Sequence, residues 1–460
     1  MGKLKHLTIA LTLILLWACN NEKPVNYTLF SGNISNTKGG ELKVSSLNGF
    51  SKIINVKDTG TFSDTLFIEE NEVYNIRYGN LRFTAYLTQG TNINIDANEK
   101  ENIKSLKFSG DYADLNNYFA YKESKNVDFM MDREGSYNVD ESTFETKVLN
   151  FQKDLEEHLN SIKNLPEEIK TKELRAINYG RLAKKSQYER MYGYLAKNRD
   201  FKASEAFKKE LNEISFDNAE DYMYSSDYQR MVSQNIQNKA YEYYQKDSLP
   251  YQEASAKALS EITNQTIKNA ELYKNISMRL PMSKDKDKDL QDFVNASTNQ
   301  KHIEKIKELY ESLKVLDKGQ PSPKFENYEN YAGGTTSLDD LKGKYVYIDV
   351  WATWCGPCKY EIPFLKKVEE QYHDKNIHFV SISADKQKDK DKWRKMIEEK
   401  EMGGIQLITD NDFNTSFISD YKIMGIPQFI LIDPQGNIVQ ANAPRPSDEK
   451  LIELFNELGI

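Results

Sequence analysis

The sequence predicts a chain in three structural parts: a β-sandwich-like N-terminal domain, a central α-helical region and a C-terminal α/β domain built on a mixed sheet. Three observations lead there. From Asn26 to Gly110, short runs rich in Thr, Tyr, Val, Ile and Phe alternate with Gly, Asn, Asp and Ser turns. From about Asp111 the apolar residues recur at three and four, the period of a helix with one buried face. After Gly319-Gln320-Pro321-Ser322-Pro323, a stretch that breaks helices, strand-like and helix-like runs alternate to the end of the chain.

Residues 1–18 read as a signal peptide. Lys3 and Lys5 give a basic start, and Leu7 to Ala18 an apolar run too short for a comfortable membrane span. Its end, Leu16-Trp17-Ala18-Cys19, resembles the bacterial lipobox, in which cleavage before the Cys leaves a lipidated N-terminal residue. On that reading Cys19 is lipidated, and residues 19–25 are a tether holding the mature chain on a membrane and facing an extracytoplasmic space. A simple cleaved signal with an incidental Cys19 is the alternative.

Residues 26–110 include the strand-like segments YTLFSGNI, ELKVSSL, GTFSDTLFI, VYNIRYG, RFTAYLT and TNINIDA, whose spacing predicts an antiparallel sandwich or barrel. The segment has no Cys and no His, which points to binding or spacing rather than catalysis.

In residues 111–318, Phe144, Val148, Phe151, Leu155, Leu159, Ile162 and Leu165 mark one helical face, and similar runs cover Phe207 to Ile214, Tyr251 to Leu280 and Ile303 to Val315. The tract KDKDKD, Lys284 to Asp289, reads as a solvated loop. The tyrosines of YMYSSDYQR and YEYYQKD offer a peptide-binding surface or, more simply, half-buried helix faces.

Residues 319–460 run strand (KYVYIDVWA), helix (Gly356 to Gln371), strand (HFVSISAD), helix (DKDKWRKMIEEK), short strand (QLITD) and helix (FNTSFISDY). QFILID and NIVQA then form a pair of strands joined by Asp433-Pro434-Gln435-Gly436, and DEKLIELFNEL closes the chain as a helix.

At 460 residues the chain exceeds one comfortable core, in keeping with several domains. Its 62 Lys plus Arg against 70 Asp plus Glu give a net charge of −8, without the general drive toward polyanions that a nucleic-acid partner requires. Three cysteines, Cys19, Cys355 and Cys358, are too few for a disulfide framework.

The stretch from Trp354 to His378 fits two incompatible motifs. Cys355 and Cys358 with His373 and His378 have the spacing of a two-Cys, two-His zinc finger; the same two cysteines fit a redox-active dithiol. A tetrahedral zinc site needs its ligands within roughly 4 Å of one another. A helix starting at Gly356 separates Cys358 from His373 by roughly 22 Å. The zinc reading therefore falls, and no metal or cofactor is expected.

The dithiol reading accounts for more. Cys355, between a strand and a helix start, meets unpaired backbone N–H groups and the helix dipole, which stabilise a thiolate and make it the attacking nucleophile. Cys358, almost one turn on, lies close enough to resolve a mixed disulfide. Pro357 supplies a pre-set φ in the first turn without wasting a hydrogen bond.

PSPKF around Pro323, SLDDLKGK at Ser337 to Lys344, DVWATWCGPC at Asp349 to Cys358, Pro363, GIPQFILID at Gly425 to Asp433 and PQGNIV at Pro434 to Val439 stand in order over a little under a third of the chain. With them, the C-terminal part resembles the thioredoxin-like domain of membrane-tethered thiol–disulfide oxidoreductases of the TlpA/ResA type. Residues 26–110 resemble the small N-terminal β domain that Bacteroidetes lipoproteins often carry ahead of such a domain.

The resemblance implies a redox-active disulfide between Cys355 and Cys358. It makes Pro427 the cis-proline facing that pair, leaving the backbone of Ile426 free to pair with an extended substrate, with Trp354, Gly356 and Pro357 as further substrate contacts. Asp349 matches the buried acid beneath the second cysteine, whose desolvation would raise its pKa and fit it to take the Cys358 proton. Glu361 matches an acidic position tied to reductant function in the ResA-like branch; a solvated helix carboxylate is its other reading. Thioredoxin has a Lys near its buried acid, whereas the neighbouring strand here reads FVSISAD.

A peroxiredoxin shares this fold, but its peroxide site needs Thr or Ser three residues before the Cys and Pro four before that, where this chain has Ala352 and Ile348. Gly-Pro between the cysteines resembles reducing thioredoxins. The expected activity is reduction of disulfides in exported proteins, recharged by a thiol-type membrane electron donor, at a lipid-anchored position in the bacterial envelope facing the periplasm. Apocytochrome c is a client by analogy only. An oxidase or isomerase, or a client-binding protein with a thioredoxin-fold module, is the alternative.

Overall fold

The computed structural model describes residues 25–47, 49–69, 72–283 and 285–460, so the signal peptide and Cys19 lie outside the described residues. The chain divides into two compact units, one ending at Asn238 and one starting at Lys239.

The first unit opens with eight strands: β1 (Thr28–Ser35), β2 (Gly40–Ser45), β3 (Ser51–Val56), β4 (Thr61–Leu66), β5 (Glu72–Tyr78), β6 (Leu81–Leu87), β7 (Asn92–Asn98) and β8 (Asn102–Gly110). They form two four-stranded sheets, β4-β1-β7-β8 and β3-β2-β5-β6. Alternate residues of both sheets, including Phe30, Ile34, Leu42, Val44, Ile76 and Ile95, share one hydrophobic core. That shared core makes a sandwich. The expected all-antiparallel pairing is corrected at one place: β1 is antiparallel to β4 but parallel to β7. The turn into β4 needs Gly60, whose φ is +88° and whose missing Cβ would lie 2.2 Å from the Ile34 carbonyl oxygen.

Among the described residues seven helices follow: α1 (Ala113–Met131), α2 (Arg133–Tyr137), α3 (Glu141–Ser161), α4 (Glu167–Leu195), α5 (Glu205–Asn212), α6 (Ala219–Tyr224) and α7 (Ser226–Lys246), the last crossing the division between the units. Asn116 of α1, fully buried, donates to the Tyr86 carbonyl at 3.2 Å and accepts from the Tyr86 N–H at 2.7 Å, tying α1 to the sandwich. The periodic face of α3 buries Phe144, Val148, Leu155 and Leu159, with Phe144 4.5 Å ring to ring from Tyr188 of α4.

The second unit continues with α8 (Tyr251–Ser260), α9 (Gln265–Arg279), α10 (Lys286–Ala296) and α11 (Gln300–Leu313). The tract expected as a solvated loop is instead largely the first turn of α10: the Asp285 side chain accepts the Lys288 N–H at 3.0 Å, and Asp287 and Asp289 sit where the helix dipole favours negative charge.

A seven-stranded sheet follows, in the order β10-β9-β13-β12-β11-β14-β15. Its strands are β9 (Tyr328–Asn330), β10 (Thr335–Thr336), β11 (Tyr345–Trp351), β12 (Ile377–Ser383), β13 (Ile405–Ile408), β14 (Gln428–Ile432) and β15 (Ile438–Gln440), interleaved with α12 (Gly356–Gln371), α13 (Lys390–Lys400), α14 (Ser416–Asp420) and α15 (Lys450–Glu457). β12, β11 and β13 are mutually parallel neighbours, while β14 returns antiparallel beside β11.

Central β11 is buried on both faces, and its period-2 alternation sorts its side chains. Val346, Ile348 and Val350 enter a core shared with Phe417 and Ile418 of α14 and with Ile276, Phe293 and Ile306 from α9, α10 and α11. Tyr347, Asp349 and Trp351 point to the opposite face, where Tyr347 packs with Leu365 of α12 and Phe455 of α15. The Gly319–Ser322 segment runs along the β14–β15 hairpin, with its Gly319 N–H 2.8 Å from the Ile438 carbonyl and its Ser322 N–H 3.0 Å from that of Gly436. This strand–helix order with a closing antiparallel hairpin is a thioredoxin-like fold.

Candidate active site

The residue pattern that ends β11 and starts α12 puts Cys355 at the helix N-cap, with Pro357 inside the first turn. Cys355 and Cys358 are joined by a disulfide with a Cα–Cα distance of 5.3 Å, and both are buried. The Cys358 N–H points at Cys355 Sγ at 3.1 Å. That N–H and the dipole of a 16-residue helix favour negative charge on the Cys355 sulfur once the bond is reduced.

The loop ahead of β14 closes over the pair. Its Ile426–Pro427 peptide is cis, and the Ile426 carbonyl oxygen lies 3.7 Å from Cys355 Sγ. Around this contact Trp354 is 61% exposed and Met424 73%, with the Trp354 ring 6.0 Å from that of Phe413. Gly356 is exposed, and a Cβ there would meet nothing within 4 Å. An exposed apolar rim beside a free stretch of backbone is a surface on which an extended polypeptide can lie.

In β11, the fully desolvated Asp349 is pushed up to about 8 by burial, with the charges of Glu361 and Glu369 adding to the effect. Its Oδ1 has no hydrogen-bond partner. Glu361 is not a solvated helix carboxylate: it is 3% exposed and accepts the Ser447 N–H at 3.1 Å and the Ser447 hydroxyl at 2.9 Å. Burial likewise lifts Glu369, two turns further along α12, to about 7. The charges acting on Asp349 are therefore acidic, in keeping with the FVSISAD strand that offers no Lys.

His373 and His378 stay apart from the cysteines, as the helix length requires. His373 is exposed just past the end of α12, beside Asp374 at 2.9 Å, and His378 lies in β12 with its pKa lowered by burial and by Lys344.

Sequence reasoning missed Asp385. It follows β12, is fully buried and accepts the Thr353 N–H at 2.8 Å, the Thr353 hydroxyl at 2.8 Å and the Ser383 hydroxyl at 2.7 Å. Thr353 lies in the loop between β11 and Cys355, and in that loop the Cys355 N–H bonds the Ala352 carbonyl at 3.0 Å. Asp385 thus pins the loop that presents the disulfide. The only trace in the sequence is Ser-x-Asp at a strand end, a common way to satisfy a chain reversal.

Residues 318–441 match the AhpC/TSA family. Thioredoxin-like protein YneN of Bacillus subtilis is 30% identical over 123 residues, 27% of this chain and 69% of that protein. Thiol-disulfide oxidoreductase ResA of Bacillus cereus is 28% identical over 141 residues, covering 29% of this chain and 73% of that protein. Among solved structures, the thioredoxin domain of a thiol-disulfide oxidoreductase from Bacteroides vulgatus is 31% identical, with 31% of this chain and 98% of that one covered and a TM-score of 0.29.

Two predictions come from the buried acids. In the oxidised protein Asp349 keeps its proton to about pH 8, whereas an unfolded chain releases it near pH 4. Between those values the unfolded state binds fewer protons, so the folded state loses stability as pH rises. Asp349→Asn removes this loss, and its stability advantage over wild type should grow from about pH 4 to about pH 8 and then level off. Urea unfolding across that range checks it; an advantage independent of pH would clear Asp349. Asp385→Asn turns an amide N–H toward a hydroxyl or N–H donor and should lower stability by about 1–3 kcal/mol. It should also speed amide exchange at Thr353 and Cys355, and unchanged exchange there would remove the loop-pinning role.

Proposed function

The chain belongs to the TlpA/ResA-like thioredoxin-fold family, and on that premise we propose that it is a thiol–disulfide oxidoreductase of the cell envelope that reduces disulfides in exported proteins through Cys355 and Cys358. The observation that carries the reading is the pair itself, set at a helix N-terminus and facing an open backbone edge at Ile426.

The steps follow from the geometry. The Cys355 thiolate attacks one sulfur of a client disulfide; a mixed disulfide forms and the other client sulfur leaves as a thiolate. The client lies across Trp354, Gly356 and Pro357 and pairs with the backbone at Ile426, beside Pro427. The ionised fraction of Asp349, small at neutral pH and about half near pH 8, takes the Cys358 proton, and a proton affinity near that of a thiol keeps the transfer close to even. Cys358 then attacks Cys355 Sγ, closing their disulfide and releasing the second client thiolate. Two electrons have moved from the dithiol to the client. Glu361, fixed by Ser447, holds its charge in place near Asp349 during the exchange. A thiol-type donor in the membrane restores the dithiol by the reverse exchange. No cofactor or metal enters any step.

On this reading residues 1–18 are a signal peptide and residues 19–25 a tether lipidated at Cys19, which places the protein on a membrane facing the periplasm. Residues 26–110 and 111–318 serve as β-rich and helical arms to the catalytic domain of 319–460. Among the described residues, no helix is long and apolar enough to cross a membrane.

Cys358→Ser should leave the first attack intact and accumulate mixed disulfides with clients, whereas Cys355→Ser should abolish both trapping and insulin-disulfide reduction; trapping that survives in Cys355→Ser would reverse the assignment. Equilibration in dithiothreitol buffers should give the pair a reduction potential near thioredoxin's, about −270 mV. A value near about −120 mV would make the protein an oxidant of exported thiols instead.

A further inference from the structure

The first unit holds a groove of about 1020 Å3 between the C-terminal half of α4, the loop after it and α5. The chain carries a net charge of −8, yet this groove is lined by six cationic side chains against two carboxylates. Three of the cations are neutralised: Lys185 pairs with Glu145 and Glu210, Lys202 with Glu189, and Lys208 with Glu205. The other three, Arg190, Lys197 and Arg199, are exposed, and among the described residues no acidic side chain stands within ion-pair distance of them. Arg190 and Tyr194 lie one turn apart on the same side of α4, and Tyr194 is 75% exposed. Phe201, Phe207 and Leu211 make the apolar floor.

The loop that carries Lys197 and Arg199 is built, not trailing. Its Asn198 N–H bonds the Gly193 carbonyl at 2.8 Å, and a Cβ on Gly193 would come within 2.8 Å of the Asn198 oxygen, so only glycine permits the close turn. Glu189 anchors the far side by accepting the Ala203 N–H at 3.0 Å and pairing with Lys202 at 2.9 Å. The backbone that carries the cations is thus held in place, which lowers the ordering cost of docking.

We propose that this groove docks an acidic polypeptide segment that also carries apolar or aromatic side chains. The surplus cations call for carboxylates; the apolar floor and the exposed Tyr194 call for side chains that a bare polyphosphate or sulfated sugar lacks. A long nucleic acid is disfavoured because the chain's net negative charge repels it beyond the groove, and one exposed ring is no platform for successive bases. The inference rests on the first unit alone and stands whether or not the dithiol acts as a reductant.

The test is fluorescence anisotropy of the full chain with a labelled peptide alternating Glu and Phe, beside a Lys and Phe peptide of the same length and a single-stranded oligonucleotide. The Glu peptide should bind, the Lys peptide should not, and the oligonucleotide should bind more weakly than the Glu peptide. Arg190→Glu, Lys197→Glu and Arg199→Glu together should weaken the Glu peptide about tenfold or more. The far-UV circular dichroism and urea unfolding of that variant should match wild type, showing that the first unit still folds. Tyr194→Ala, which leaves every charge in place, should weaken binding and keep its salt dependence. Absent binding by wild type, equal binding by the triple variant, or an oligonucleotide that binds as tightly would each overturn the proposal.

Discussion

Burying one carboxyl in the middle of a sheet is the constraint on which the rest of the catalytic domain turns. Asp349 occupies the central strand with hydrophobic residues before and after it, no hydrogen bond to its Oδ1, and acidic rather than basic charge acting on it. A charged carboxylate in that place would be costly, so the proton stays on through the neutral range. Holding the group there requires packing on both faces of β11. The Val346, Ile348 and Val350 side supplies one layer, and the Tyr347 and Trp351 side the other. The result is a buried acid whose proton affinity has been moved from that of a carboxylate to that of a thiol.

Asp385 shows the opposite use of the same side chain a short distance along the fold. It too is fully buried, but three donors converge on it from Thr353 and Ser383. With its oxygens satisfied, it works as a fixed anchor for the loop between β11 and Cys355, a charge-assisted arrangement stronger than one between neutral groups. One acid is left short of partners and its proton affinity rises; the other is supplied with partners and holds a loop in place. Glu361 resembles the second case in being gripped by Ser447, and its charge in turn supports the raised proton affinity of Asp349.

How much of this could be read in the sequence depended on how local each feature is. The strand KYVYIDVWA, the bounds of α12 and the placement of the two cysteines at its start follow from side-chain texture and turn chemistry within a few residues, and each stands where the sequence puts it. The raised proton affinity of Asp349 was legible only through the family resemblance; its physical cause is the burial of a lone acid in an apolar strand. What stayed hidden is long-range. The parallel pairing of β1 with β7 joins residues about sixty apart, and nothing in either strand names its neighbour. β3 and β8 carry enough polar residues, as in SKIINV and NIKSLKFSG, to blur their alternation. The charged run at Lys286 reads as solvated because acids that cap a helix look like acids in a loop. Asp385 meets Thr353 from 32 residues away, and Ser447 reaches Glu361 from near the end of the chain.

The same distinction between local and long-range information separates similarity from packing in the second unit. The match to the AhpC/TSA family starts at residue 318, close to where the shared motifs start. The core does not start there: Ile276 of α9, Leu280, Phe293 of α10 and Ile303, Ile306 and Leu313 of α11 lie in one apolar cluster with Ile348, Ile382 and Ile430 of the sheet. The Asn442 side chain also donates to the Pro281 carbonyl at 2.8 Å, and the intervening Gly319–Ser322 segment is bonded to the β14–β15 hairpin instead of standing free. A Pro- and Gly-rich stretch is therefore a change of direction here, not a flexible link. Three further helices thus join α14 and the Phe325–Leu341 segment in the core that covers the apolar side chains of β11. The sheet that holds Asp349 and the disulfide thus owes part of its rigidity to residues outside the segment whose motifs announce the chemistry.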